Sequence, residues 1–328
     1  MSIPPTTTIQ SIAERIKTGQ ITRIIVLTGA GISTSAGIPD FRTPKTGLYD
    51  RLAPLNLPTP ESIFHISYFS HSPEPFYAIA QARHPSTLKP TLSHAFLALL
   101  AKKNILHFLF TQNIDGLEED AGVPAEKILW THASYPDDLM RKAIKTGDVP
   151  YCLEPKCSGA IKPEVVFFGE SLPEEFDEKV KLIPEADLML VMGTSLRVAP
   201  CSGIPRMMEP GVPRVLINME RCGDMGSRDG DVSILGDCDV GVREFAEALG
   251  WRGELEALWE EVVAAKAKIA GPESEDGGED GPDLDACIAK IAAQMDERLG
   301  ISKGHKKMLE SHLGDKFARM MAGDRPAS

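Results

Sequence analysis

Six short apolar runs, rich in branched side chains, punctuate residues 8–251: Arg23–Leu27, Ile105–Phe110, Lys127–Trp130, Val165–Phe168, Leu188–Met192 and Arg214–Ile217. Runs this short and this continuous suit strands buried on both faces, the environment of a parallel sheet. Between them lie helical patterns, such as Ser93–Lys103 and Val242–Leu249. Strands alternating with helices predict an α/β fold, a Rossmann-like doubly wound parallel sheet. Two stretches break the rhythm: residues 43–90, rich in Pro, Ser and His, and residues 135–163, which hold a Cys pair and many turn formers. Both read as insertions that build a smaller lobe. The large lobe then spans about 8–42, 91–134 and 164–251, and residues 252–328 form a C-terminal extension.

Charge and cysteine content narrow the function classes. The 328 residues carry 35 Lys+Arg against 47 Asp+Glu, a net charge of −12, which argues against a nucleic-acid binder. The N-terminal MSIPPTTTIQSIAERIK has no apolar core of a secretory signal, and Leu188–Met192 is far too short to span a bilayer. Six cysteines with one close pair do not form a disulfide framework; they point to a reducing compartment, cytoplasm and/or nucleus. Seven acids and no base fall in residues 271–285, a Gly- and Pro-rich stretch that reads as a disordered acidic linker. Leu284, Ile288, Ile291, Met295 and Leu299 then share one helical face, with Gly300 at the stop. Met308, Leu309, Leu313, Phe317 and Met321 suggest a second amphipathic helix. These helices pack on the body or on a partner, self-association of two chains included.

The first run leads straight into Thr28-Gly29-Ala30-Gly31-Ile32-Ser33. Glycine after a strand lets the backbone approach a pyrophosphate at the start of a helix, which favours a nucleotide. The next glycine is Gly37, six residues after Gly31 rather than three, so the dehydrogenase fingerprint is absent. Gly37-Ile38-Pro39-Asp40-Phe41-Arg42 follows. Its guanidinium suits a diphosphate, and Asp40 is placed to orient Arg42 or a ribose. The alternative is a purely structural Asp–Arg pair. Asn113 and Asp115 sit just past a strand end, where polar side chains need a ligand or a local network. Of eight histidines, His132 alone follows a buried strand where ligands collect, and His94, inside a helical pattern, reads as a packing residue.

GAGISTSAGIPDFR resembles the signature of the sirtuins, the NAD-dependent protein deacylases. The resemblance continues, in the family's order, at Thr111–Leu117, His132, Lys162–Glu170, Gly193–Leu196, Asn218–Glu220 and Gly236–Asp239. It covers residues 8–251 and is nearest in tone to fungal relatives of the cytoplasmic histone and tubulin deacetylases. It implies that Gly29, Ala30, Gly31, Ile32 and Ser33 cradle the NAD phosphates, with Gly193, Thr194 and Ser195 beside them. Asp40, Phe41 and Arg42 would cover the nicotinamide ribose, and Gln112, Asn113, Ile114 and Asp115 would line the nicotinamide pocket. Asn218 and Glu220 would hold the adenosine ribose, with Cys238 near the adenine. Val166, Phe167, Phe168 and Gly169 would bind the acetyl-lysine peptide by strand addition. His132 would act as general base, with Asn113 also catalytic, and NAD would be consumed to give nicotinamide, O-acetyl-ADP-ribose and free lysine. Histones or tubulin-like proteins are the implied partners.

The sequence departs from the family in the small lobe. Sirtuins carry a zinc ribbon built from two Cys pairs, and a structural zinc site needs four ligands. Here Cys152 and Cys157 stand alone, because no cysteine falls between His132 and Cys152. Ala133 also replaces the family's glycine after the histidine. Two readings therefore stay open: an NAD-dependent deacetylase, or an impaired sirtuin-like module that holds NAD or ADP-ribose without turnover.

Overall fold

The computed structural model describes residues 7–82, 88–131, 143–144, 146–154, 156–269 and 283–299. His132, most of the acidic linker, Gly300 and the second amphipathic pattern lie outside the described residues. Helix α1 (Ile9–Lys17) precedes strand β1 (Ile24–Thr28), and short helices α2 (Leu48–Arg51), α3 (Ile66–Phe69) and α4 (Glu74–Ala82) follow the glycine turn. Then come α5 (Leu92–Lys102), β2 (Leu106–Thr111), α6 (Leu117–Asp120), β3 (Ile128–Trp130), α7 (Glu175–Lys179) and β4 (Leu188–Met192). The chain continues through β5 (Arg214–Asn218), β6 (Asp231–Leu235), α8 (Cys238–Leu249), α9 (Arg252–Ile269) and α10 (Leu284–Leu299).

The six strands form one sheet in the order β3-β2-β1-β4-β5-β6, every pair parallel. This is a Rossmann-like doubly wound order, with the switch point between β1 and β4. Alternate residues of each strand face opposite layers. Ile24 and Val26 pack under α1, α5, α8 and α9, while Ile25 and Leu27 pack with Phe176, Ile183 and Ile204 on the other side. β1, β4 and β5 are buried along their whole length, which is why they read as continuous apolar runs.

Two strand expectations fail. Val165–Phe168 joins no strand of the sheet; Phe168 makes a lone parallel bridge to His65 of the small lobe. Its apolar side chains are core, since Val165 and Phe167 pack with Phe69, Phe76 and Tyr77. Conversely β6, Asp231–Leu235, is half-exposed and carries no apolar run, so periodicity misses it. It is tied down by charge. Arg214, fully buried at the foot of β5, donates from Nε and Nη2 to the two Asp231 carboxylate oxygens at 2.8 and 2.7 Å.

The C-terminal extension is divided differently from the sequence reading. Helix α9 buries Leu255 and Val262 in the same core as α5 and α8, and Trp259 Nε1 donates to the Pro90 carbonyl at 3.0 Å. The main body therefore runs past residue 251. Helix α10 packs its apolar face on the small lobe: Leu284, Ile288 and Ile291 share a core with Leu48, Leu52, Leu55, Ile63 and Ile79. Arg51 Nε donates to Asp285 at 2.9 Å at its edge. That face is used within the chain. Because Ile288 is 1 % exposed, Ile288→Ala should lower unfolding free energy by about 2–4 kcal/mol in urea titrations. A free appendage would show almost no change.

Candidate active site

The site is built where β1 and β4 end. The turn after β1 comes so close to the turn after β4 that neither side tolerates a Cβ. Gly31 N–H donates to the Gly193 carbonyl at 2.8 Å, and Gly29 N–H donates to the Met192 carbonyl at 3.1 Å. A Cβ on Gly31 would lie 2.7 Å from Gly193 Cα; one on Gly193, whose φ is +60°, would lie 2.5 Å from the Ile32 nitrogen. The segment after the turn is a 3-10 helix, Ala30–Ala36, rather than the α-helix of a dehydrogenase, and Gly37 closes it at φ 93°.

A cleft of about 2290 Å³ opens at this switch point. A drug-sized pocket is roughly 300–1,000 Å³, so this one has room for a dinucleotide and a second substrate together. Gly29, Ala30, Gly31, Ser33, Asp40, Phe41 and Arg42 line it, as do Gln112, Asn113, Ile114 and Asp115. So do Gly193, Thr194, Ser195, Asn218, Glu220 and Cys238, and along another edge Val166, Phe167, Phe168 and Gly169. Ile32 is the exception. Its side chain is 1 % exposed and belongs to the core, and its carbonyl accepts from Thr91 Oγ1 at 2.8 Å.

Several local expectations change. Asp40 does not hold Arg42; its carboxylate accepts from the Thr43 N–H and hydroxyl, at 2.9 and 2.5 Å. Arg42 instead faces Glu61 at 3.5 Å and stacks 5.0 Å over the Tyr49 ring. Backbone groups of Phe167 and Phe168 are engaged within the chain. Phe168 N–H donates to the Phe64 carbonyl at 2.8 Å and its carbonyl accepts from Ile66 N–H at 3.1 Å. Phe167 N–H donates to the Glu170 carboxylate at 2.7 Å.

The floor beside Asn113 is a buried polar layer that sequence reading only half detected. Ser33 Oγ donates to Asp115 Oδ2 at 2.7 Å and accepts from Asn113 Nδ2 at 3.3 Å. Its other neighbour is His94 Nε2 at 3.5 Å. Thr91 N–H lies 3.1 Å and Thr91 Oγ1 2.7 Å from His94 Nδ1. Burial holds His94 below the usual imidazole range, so it is neutral at pH 7. It is a polar network member rather than a packing residue. Gln112 Nε2 extends the layer to Thr194 Oγ1 at 2.9 Å and the Thr28 carbonyl at 3.1 Å. At the far end, Asn218 Nδ2 donates to the Glu220 carbonyl at 2.8 Å. Burial pushes the Cys238 thiol up to about 12, so it stays an unreactive S–H in the wall.

Sequence reasoning missed Glu118 entirely. It is fully buried on α6, accepts from Thr111 Oγ1 at 2.5 Å, and lies with His94 and Asp115 in one cluster. Its only sequence signal is a carboxylate on the inward face of a four-residue helix.

The cysteine pair sits apart from this cleft. Tyr151 and Ala160 pair as an antiparallel bridge, Cys152 N–H donates to the Gly159 carbonyl at 2.9 Å, and Cys157 is exposed. Cys201, Cys222 and Cys238 are buried in the main body, and Cys287 lies on α10. Among the described residues no third His, Cys, Asp or Glu joins the pair in a metal-sized group, and residues 132–142 contain no cysteine. These residues do not fit a closed four-thiolate zinc site.

Comparison with known proteins agrees with this architecture. The Sir2 family profile matches residues 29–200. The chain is 54% identical to NAD-dependent protein deacetylase hst2-2 of Emericella nidulans, over 96% of this chain and 93% of the relative. It is 45% identical to hst2-1 of the same fungus, over 93% and 87%. Against the deacetylase hst2 of Schizosaccharomyces pombe it is 43% identical, over 76% and 79%.

Two outcomes are expected. Gly193→Ala must separate the two turns and strain φ by roughly 1–3 kcal/mol, so the thermal shift produced by NAD should disappear. Metal analysis of the purified chain should find zinc well below one atom per chain, with melting unchanged by chelator. Given the shared profile, the turn geometry and identity across nearly the whole length, the chain belongs to the Sir2 family.

Proposed function

We propose that this chain is an NAD-dependent protein-lysine deacetylase that yields nicotinamide, O-acetyl-ADP-ribose and the free lysine. The observation that carries this reading is the continuity of the cleft. The glycine turn at the switch point, the polar wall Gln112–Asp115 and the edge Val166–Gly169 line one cavity. A dinucleotide and an acyl side chain entering from the small-lobe edge therefore meet. The relatives are named NAD-dependent protein deacetylases.

When bound, NAD supplies an anomeric carbon bearing a charged leaving group, nicotinamide. The chain's own residues then bind, orient and handle the proton. Gly29, Ala30, Gly31, Gly193, Thr194 and Ser195 hold the phosphates, and Asn218, Glu220 and Cys238 the adenosine end. Asp40, Phe41 and Arg42 cover the reacting ribose and exclude water. Asn113, Ile114 and Asp115 hold the nicotinamide, and His132 takes the proton from the ribose hydroxyl. An imidazole suits this task because its ordinary pKa, about 6.5, lies near the working pH. Acetylated proteins of the histone or tubulin kind are the substrates we favour, and cytoplasm and/or nucleus the location. The free cysteines support a reducing compartment. No helix among the described residues is long and apolar enough to cross a membrane.

The test is nicotinamide release from NAD in the presence and absence of an acetyl-lysine peptide. Release should require the peptide, and mass spectrometry should find O-acetyl-ADP-ribose. His132→Ala should lower kcat by about 100- to 10,000-fold with NAD binding retained. NAD-dependent thermal stabilisation without any turnover would instead identify the binding-module alternative.

A further inference from the structure

Beneath the nicotinamide wall lies a carboxyl group for which the reading above has no use. Glu118 is 0 % exposed. Oε1 accepts from the Thr111 hydroxyl at 2.5 Å and more distantly from the Thr28 hydroxyl at 3.4 Å. Oε2 is buried and has no hydrogen-bond partner among the described residues. A ligand atom of Glu118, one of Asp115 and one of His94 all lie within 4.8 Å of one another. A carboxyl group sealed from water and this close to a second one resists ionisation.

The charged groups around Glu118 decide which carboxyl keeps the proton. From the β2–α6 loop comes Asp115, which lines the cleft and accepts from Ser33 Oγ and from Leu117 N–H at 3.1 Å. From α5 comes His94, neutral through burial. Further along α6 is Asp120, paired with Lys266 of α9. From α8, Asp239 reaches His94 but accepts from Ser93 and Ser35 hydroxyls, both at 2.6 Å. β1 and β2 contribute only the Thr28 and Thr111 hydroxyls. Among the described residues no cation acts on Glu118.

We propose that Glu118 is a positioning residue for the deacetylation: it stays a neutral carboxylic acid, so that Asp115 alone carries the charge of the pair and orders the polar layer at the cleft. With one anion, the Ser33 hydroxyl points its proton at Asp115 and leaves a lone pair for Asn113 Nδ2. If Glu118 lost its proton, two anions would repel across the layer and release Ser33 and Asn113 from the wall. Burial first, then the charge of Asp115, pushes Glu118 up to about 8. The layer should therefore fail on the alkaline side. The inference rests on the deacetylase reading for its kinetic arm only.

A carboxyl raised in the fold contributes most below its ordinary range, and stability is lost as pH rises from there through about 8. Glu118→Gln keeps the neutral form's shape, donor and acceptor and removes the titration. The experiment measures melting temperature and kcat/KM from pH 5.5 to 9.5 for wild type, Glu118→Gln and Glu118→Ala.

The melting temperature of Glu118→Gln minus that of wild type should widen by more than about 2 °C between pH 5.5 and 8.5. Wild-type kcat/KM should fall along an alkaline limb near pH 8, while Glu118→Gln stays within about threefold of the wild-type pH 7 value and loses that limb. Glu118→Ala, which restores neither donor nor acceptor, should lose at least about tenfold at pH 7. A flat stability difference would overturn the buried acid. An identical alkaline limb in wild type and Glu118→Gln, or a tenfold loss in folded Glu118→Gln at pH 7, would overturn the positioning role. Absence of turnover in wild type at every pH would sink the deacetylase reading and the kinetic role with it, while the melting curves still decide where the proton sits.

Discussion

The molecule is organised around a backbone contact that only hydrogen atoms at Cα permit. Gly31 donates to the carbonyl of Gly193, and the two turns it joins follow the adjacent parallel strands β1 and β4. Side chains on either would force the strand ends apart and deform the crevice between them. Because connections diverge on either side of this pair, the contact also lies at the topological switch point of the sheet, where open α/β folds place their ligands. The cleft, its polar floor and its small-lobe roof are all positioned from here.

Directly under that contact the core stops being apolar. Thr28 and Thr111 end β1 and β2 with hydroxyls, and Glu118, His94, Ser33, Asn113 and Asp115 complete a layer largely sealed from water. Such a layer is stable only when nearly every donor and acceptor is matched, which makes it rigid and sensitive to a single proton. The unmatched oxygen of Glu118 is therefore the informative atom in it. The apolar layers on both faces of the sheet carry the stability that lets this polar one persist.

The small lobe obeys a different logic. Phe41 packs 5.5 Å from Tyr49 and 5.8 Å from Phe64, so a loop that lines the cleft is held by an aromatic cluster. Helix α10 finishes that cluster's core from the far end of the chain. Apolar packing thus joins this lobe to the far end of the chain.

Sheet strands β1, β2, β4 and β5 are legible in the sequence because burial on both faces leaves unbroken apolar runs, and the glycine turn because close backbone approach excludes every other residue. The motifs also place the cleft-lining residues, Ile32 excepted, since short segments at strand ends converge whatever their sequence separation. Three things needed the tertiary structure. β6 is held by a buried Arg214–Asp231 pair, a contact between charges that no period records. Val165–Phe168 has strand composition, yet its backbone pairs with the small lobe and its side chains fill that lobe's core. The protonated state of Glu118 depends on what lies within a few ångströms of one oxygen. Composition and spacing determine which segments bury themselves; only three-dimensional proximity decides which polar groups are left facing one another once water is gone.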